Sequence, residues 1–131
     1  SGNMKRIALD TNIAISLLNG KEKTIEELKK FDTIYLPITV CGELLFGALN
    51  SNRRSQNERK YRNFIKSCKI LNSNILIAEE YSSIRINLKE IGKPIPENDI
   101  WIAAICKVNN LPLATNDKHF KNIQGLKIQS L

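Results

Sequence analysis

Apolar positions along the chain alternate between short continuous runs and longer stretches with helical spacing. The first run, "KRIALD", is rich in strand formers, and "TNIAISLLN" behind it has a helical period stopped by Gly20. "KTIEELKKF" then reads as a small amphipathic helix with Ile25, Leu28 and Phe31 on one side. "TIYLPI" reads as a second strand with Pro37 near its end. The span from Thr39 to Asn50, "TVCGELLFGALN", predicts a mostly buried helix. A polar, basic stretch follows it, in which Tyr61, Phe64, Ile65 and Cys68 make one apolar face.

The second half repeats the alternation. "KILN" is a third strand, and Ile77, Tyr81, Ile84, Leu88 and Ile91 recur at helical spacing up to Gly92. "KPIPEND" reads as a loop and "DIWIAAICKVNN" as a helix apolar nearly all round. "LPLAT" is a fourth strand, "NDKHF" a turn and "LKIQS" a weak fifth strand. Strands alternating with helices predict one α/β domain around a mainly parallel sheet of about five strands flanked by helices. In such sheets ligands bind beyond the carboxyl ends of the strands.

Four carboxylates have a context that fits that edge. Asp10 ends the first strand, and Asp117 lies just past the fourth, where turn chemistry is the competing explanation. Glu43 is the only charge between Leu36 and Asn50, so it faces either solvent or a polar cleft holding a cation. Asp99 stands at the mouth of the apolar helix, where an N-cap is the alternative. Brought together, such acids repel one another and hold protons too tightly unless a cation sits among them. An all-oxygen donor set without His or Cys selects Mg²⁺ or Mn²⁺, the usual arrangement for phosphodiester cleavage.

Charge strengthens this reading. The formal net charge is +7 and the pI near 9.5. From Arg53 to Lys69 seven bases face the single acid Glu58, and Arg53, Arg54, Arg59 and Lys60 are the candidate contacts to a nucleic acid backbone. Length fits one domain. Ser1, Gly2 and Asn3 read as an expression-tag remnant, leaving 4–131 as the folded unit. No apolar run is long enough to cross a bilayer, and no leader with a cleavage site opens the chain. Cys41, Cys68 and Cys106 form no metal-ligand pattern and read as reduced packing residues of a cytoplasmic protein.

"LDTN" at Asp10–Asn12, "TVCGELLFGA" around Glu43, "PENDIWIAA" around Asp99 and "LATNDKHF" around Asp117 together resemble the PIN-domain family, within it the VapC-type toxins of toxin–antitoxin pairs. The resemblance runs from Met4 through essentially the whole chain. It implies a Mg²⁺- or Mn²⁺-dependent endoribonuclease in which Asp10, Glu43, Asp99 and Asp117 ligate or orient the metal, leaving a 5′-phosphate and a 3′-hydroxyl. Thr11, Asn12, Thr115 and Asn116 would fix carboxylate rotamers and touch the scissile phosphate, with Asn116 a competing ligand beside Asp117. It further implies an RNA substrate, a homodimer, and a VapB-type antitoxin whose tail fills the cleft. "ELLFGA" resembles the branch acting on initiator tRNA.

Several features depart from that pattern or stand outside it. Many relatives carry a small residue where Glu97 stands, two places before the third acid. Glu97 therefore adds charge to the rim or points to solvent. His119, the only histidine, falls on a surface turn that a metal mechanism does not need. Trp101 reads as core or dimer contact rather than a stacking platform. Rival phosphotransfer folds fail on particular residues: a haloacid-dehalogenase-like site wants a second aspartate where Asn12 stands, and a receiver domain wants an acidic pair that is missing. A silent PIN-like binding module and a non-toxin RNA-processing nuclease remain as alternatives.

Overall fold

Ile7, Ala8 and Leu9 are fully buried in a row, which a strand achieves only when both faces of its sheet are covered. They form β1 (Arg6–Leu9) at the centre of a five-stranded sheet in the order β3-β2-β1-β4-β5. The computed structural model describes residues 4–131, so the expected tag remnant at Ser1–Asn3 lies outside the described residues. β2 is Thr33–Pro37, β3 Lys69–Leu71, β4 Leu113–Ala114 and β5 Ile128–Gln129. Every neighbouring pair is parallel. The short β4 continues past its assigned ends: Asp10 N–H donates to Ala114 C=O at 3.2 Å, and Thr115 N–H to Gln129 C=O at 3.2 Å.

Six helices cover the sheet: α1 (Thr11–Leu18), α2 (Glu22–Leu28), α3 (Ile38–Leu49), α4 (Arg54–Ser67), α5 (Ile75–Glu90) and α6 (Glu97–Val108). Gly20 and Gly92 adopt φ of 73° and 70°, the left-handed conformation that ends α1 and α5 where the sequence placed their stops. α3 packs on α4 and α5 on α6. Ile102 to Cys106 of α6 are all buried, as the all-round apolar pattern predicted. None of the helices of the described residues is long and apolar enough to cross a membrane.

Two elements differ from expectation. α6 begins at Glu97, two residues before the predicted start, because Pro96 supplies the extended residue before the first turn and its carbonyl accepts from Asp99 N–H at 3.1 Å and Ile100 N–H at 3.3 Å. α3 is not mostly buried. Val40, Cys41, Leu44 and Ala48 face the core, while Ile38, Phe46 and Leu49 are exposed on the opposite side.

Both faces of α3 are apolar, so periodicity could not separate core from surface, but stability will. Leu44→Ala, at a fully buried position, should cost about 2–5 kcal/mol in urea unfolding. Phe46→Ala, on the exposed side, should stay within about 0.5 kcal/mol of the parent.

Candidate active site

Strand order reverses between β1 and β4, since β1 is followed in sequence by β2 on one side and meets β4 on the other. The loops after these two strands diverge there and leave a crevice at the carboxyl edge. Asp10 follows β1 directly and caps α1: its Oδ1 accepts Ile13 N–H at 2.9 Å. Its Oδ2 accepts the Thr115 hydroxyl, which arrives from the end of β4. Both oxygens are therefore fixed in a side chain that is 5% exposed. Burial pushes the Asp10 carboxyl up, the Thr115 and Ile13 hydrogen bonds pull it down, and the charges of Asp117 and Glu43 push it up again.

Glu43 comes from the flank of α3, between its core-facing and exposed sides. Thr11 Oγ1, in the first turn of α1, donates to Glu43 Oε2 at 2.9 Å. Oε1 is wholly buried and has no partner among the described residues, and the same holds for Thr39 Oγ1 one turn earlier on the helix. A carboxylate oxygen in that state needs a cation or a donor from outside the chain. Thr11, Thr39, Glu43, Phe46 and Asn98 line a groove of about 430 Å³.

Asp99 occupies the first turn of α6 and is not its cap, since Pro96 holds that position. No hydrogen bond reaches its carboxylate among the described residues. Burial first, then the charges of Asp117, Glu43 and Asp10, with His119 opposing, raise it to about 6. Two of the three acids that the sequence did not read as helix caps are the ones that cap. Asp10 does so for α1, and Asp117 accepts His119 N–H at 2.9 Å at the head of a 3-10 turn, Lys118–Asn122. Asp117 N–H in turn donates to Thr115 Oγ1 at 3.0 Å. Thr115 thus ties Asp10 and Asp117 together across the β1/β4 crevice.

Of the other candidates, Asn12 and Asn116 line a cleft of about 270 Å³ with Asp10, Ile13, Ser16 and Asp117. Asn116 Oδ1 is already engaged, accepting Leu131 N–H at 3.1 Å. Arg53, Arg54, Arg59 and Lys60 are all exposed at the start of α4. Arg54 Nε donates to Leu49 C=O at 2.7 Å and closes the end of α3. Arg53, Arg59 and Lys60 form no ion pair among the described residues. A helix rises about 1.5 Å per residue, so the end of α3 at Leu49, which Arg54 closes, lies about 9 Å along the helix axis from Glu43.

Glu97 turns toward α5, where the Tyr81 hydroxyl donates to its Oε1 at 2.8 Å and Arg85 lies 3.9 Å away. Trp101 is half-buried and stacks on Tyr81 at 4.0 Å with the planes 15° apart. That face is packing. His119 is the residue that sequence reasoning set aside: its Nδ1 is 3.2 Å from Asp117 Oδ1. Its spacing two residues after a turn-capping aspartate was the available signal, because a tight turn folds the second side chain back over the cap.

A PIN-domain family model matches residues 7–126. The chain belongs to the PIN-domain family and, within it, to the VapC-type ribonucleases of toxin–antitoxin systems. Ribonuclease VapC1 of Haemophilus influenzae is 33% identical over 126 residues, covering 92% of this chain and 94% of its own. The tRNA(fMet)-specific endonuclease VapC of Shigella flexneri is 26% identical over 130 residues, with 96% and 98% covered. Among solved structures, that of VapBC2 from Rickettsia felis bound to a DNA fragment from its promoter contains a chain that superposes with a TM-score of 0.88 at 29% identity, covering 96% of this chain and 98% of that one.

The raised Asp99 carboxyl has a signed consequence for stability. The folded protein binds this proton more tightly than the unfolded chain, so metal-free protein loses stability as pH rises from about 4 through about 6. Asp99→Asn removes that loss. In EDTA its melting temperature should exceed the parent's above about pH 6 and match it below about pH 4. A difference independent of pH would mean that Asp99 is not held in an acidic, desolvated setting.

Proposed function

We propose that the acidic cleft holds a divalent cation, Mg²⁺ or Mn²⁺, and that the chain hydrolyses RNA there as the toxin of a pair silenced by a VapB-type antitoxin. The observation that carries this reading is a part-buried group of acids with spare donor capacity at one sheet edge. Glu43 Oε1 is buried without a partner, and the Asp99 carboxyl is raised to about 6 by burial and by neighbouring acids. Hard oxygen donors so placed fit a small divalent cation.

Asp10, Glu43, Asp99 and Asp117 would hold the cation. Bound there, it supplies Lewis acidity toward the phosphate and neutralises the charge of the cleft. The protein's own part is orientation. Thr115 and Ile13 fix Asp10, Thr11 fixes Glu43, and the 3-10 turn fixes Asp117. With these rotamers held, the carboxylates need no rearrangement when the anionic substrate arrives. Arg53, Arg59 and Lys60 offer phosphate contacts on the same helical hairpin that carries Glu43.

A tRNA is the favoured substrate class, supported by the tRNA-specific relative from Shigella flexneri. The antitoxin partner is supported by the likeness to a toxin chain solved within a VapBC complex. The exposed apolar side of α3, with Ile38, Phe46 and Leu49, is consistent with the homodimer expected from the family resemblance.

The test is incubation of a total tRNA pool with antitoxin-free protein in Mn²⁺ or Mg²⁺ and again in EDTA, followed by sequencing of the cut ends. Metal-dependent cutting with 5′-phosphate ends is expected, and cutting that survives EDTA would sink the metal reading. Asp99→Asn should abolish cleavage while the circular dichroism spectrum stays unchanged. Reversing charge at Arg53, Arg59 and Lys60 should weaken RNA binding and reduce its log–log salt slope by about two to three, near one per lost phosphate contact. An unchanged slope would return these bases to a solvated face.

A further inference from the structure

His119 has no task in the site as described so far. Asp117 accepts the His119 amide at 2.9 Å, which curls the chain and brings the imidazole Nδ1 to 3.2 Å from Asp117 Oδ1. One ring nitrogen of His119 and one carboxylate oxygen each from Asp99 and Asp117 lie within 4.8 Å of one another. Ligand atoms at roughly 2.0–2.3 Å from a shared cation end up roughly 3–4.5 Å apart, so three donors at this spacing close around a single ion after small side-chain rotations. The imidazole is 56% exposed on a short turn and has room for such a rotation. Glu43 Oε1, buried and unpaired, is an independent sign that the same edge awaits a positive partner.

Resting on the metal reading above, we propose that His119 is a ligand of the cation held by Asp99 and Asp117, and that the site therefore prefers Mn²⁺ to Mg²⁺. Mg²⁺ takes oxygen donors, keeps several waters and gains little from an imidazole, whereas first-row transition ions accept nitrogen readily. The cation takes the place of the direct His119–Asp117 contact. The donor set is then mixed, the His119 nitrogen joining the carboxylate oxygens of the acidic group.

The test uses the purified full chain, stripped with EDTA and titrated calorimetrically with MnCl₂ and separately with MgCl₂. The Mn²⁺-loaded protein is then examined by pulsed electron paramagnetic resonance. His119 is the only histidine, so imidazole nitrogen coupling to Mn²⁺ has one source. Coupling is expected in the parent and not in His119→Gln, with Mn²⁺ affinity falling on the order of tenfold in the variant and Mg²⁺ affinity little changed. Mn²⁺ binding without nitrogen coupling, or equal losses for both ions, would overturn the assignment and leave His119 as a residue that only orients Asp117. Binding of neither ion by the parent would bring down the metal reading itself, and this proposal with it. The measurement on the parent needs no variant, so a folding defect cannot hide the answer.

Discussion

Repulsion among Asp10, Glu43, Asp99 and Asp117 is the constraint around which this fold is arranged. Glu43 and Asp117 raise the proton affinity of both Asp10 and Asp99, Asp10 raises that of Asp99, and burial adds to the effect. Left alone, such a group would open the sheet edge or take up protons. The chain resists both by spreading the acids over four separate anchors: the end of β1, the middle of α3, the first turn of α6 and the loop after β4. None of those anchors can move without disturbing the core, because Leu9, Leu44, Ile100 and Ala114 beside them are buried.

Thr115 is the hinge of this arrangement. Its hydroxyl donates to Asp10 and accepts from the Asp117 backbone, while its own N–H continues the ladder to Gln129. One small side chain thus links the two loops that diverge at the β1/β4 reversal. A hydroxyl suits that place because it both donates and accepts, which neither an amide nor a carboxylate does from a single atom.

Much of this was legible before any coordinates. A charge closing an apolar run marks a strand's carboxyl end, so Asp10 could be placed from "IALD" alone. Glu43 stood out because nothing else in its stretch was charged. What the sequence concealed was decided by competition between neighbours. Asp99 looked like a cap because aspartate favours that position, but Pro96 fixed the backbone earlier and left Asp99 inside the first turn with its carboxylate free. α3 looked buried because apolar residues on both sides of a helix carry no label for which side meets the core. His119 reads as a surface turn residue and is exposed, but its nearness to Asp99 was hidden, because Asp99 arrives from α6 and only tertiary structure brings the two elements together.

The backbone of Asp10 is held in the sheet ladder independently of its side chain, by the bond from its N–H to Ala114. Scaffold and chemistry are therefore separable at this position. Were the carboxylate exchanged for the amide of Asn, whose oxygen can still accept Ile13 N–H and cap α1, the sheet, the helices and the outer surfaces would all persist. If Asp10 holds the cation as proposed, such a chain would keep its fold while losing the cut, and would compete with intact copies for whatever they bind. Silencing by such a substitution would then yield a decoy rather than an unfolded chain.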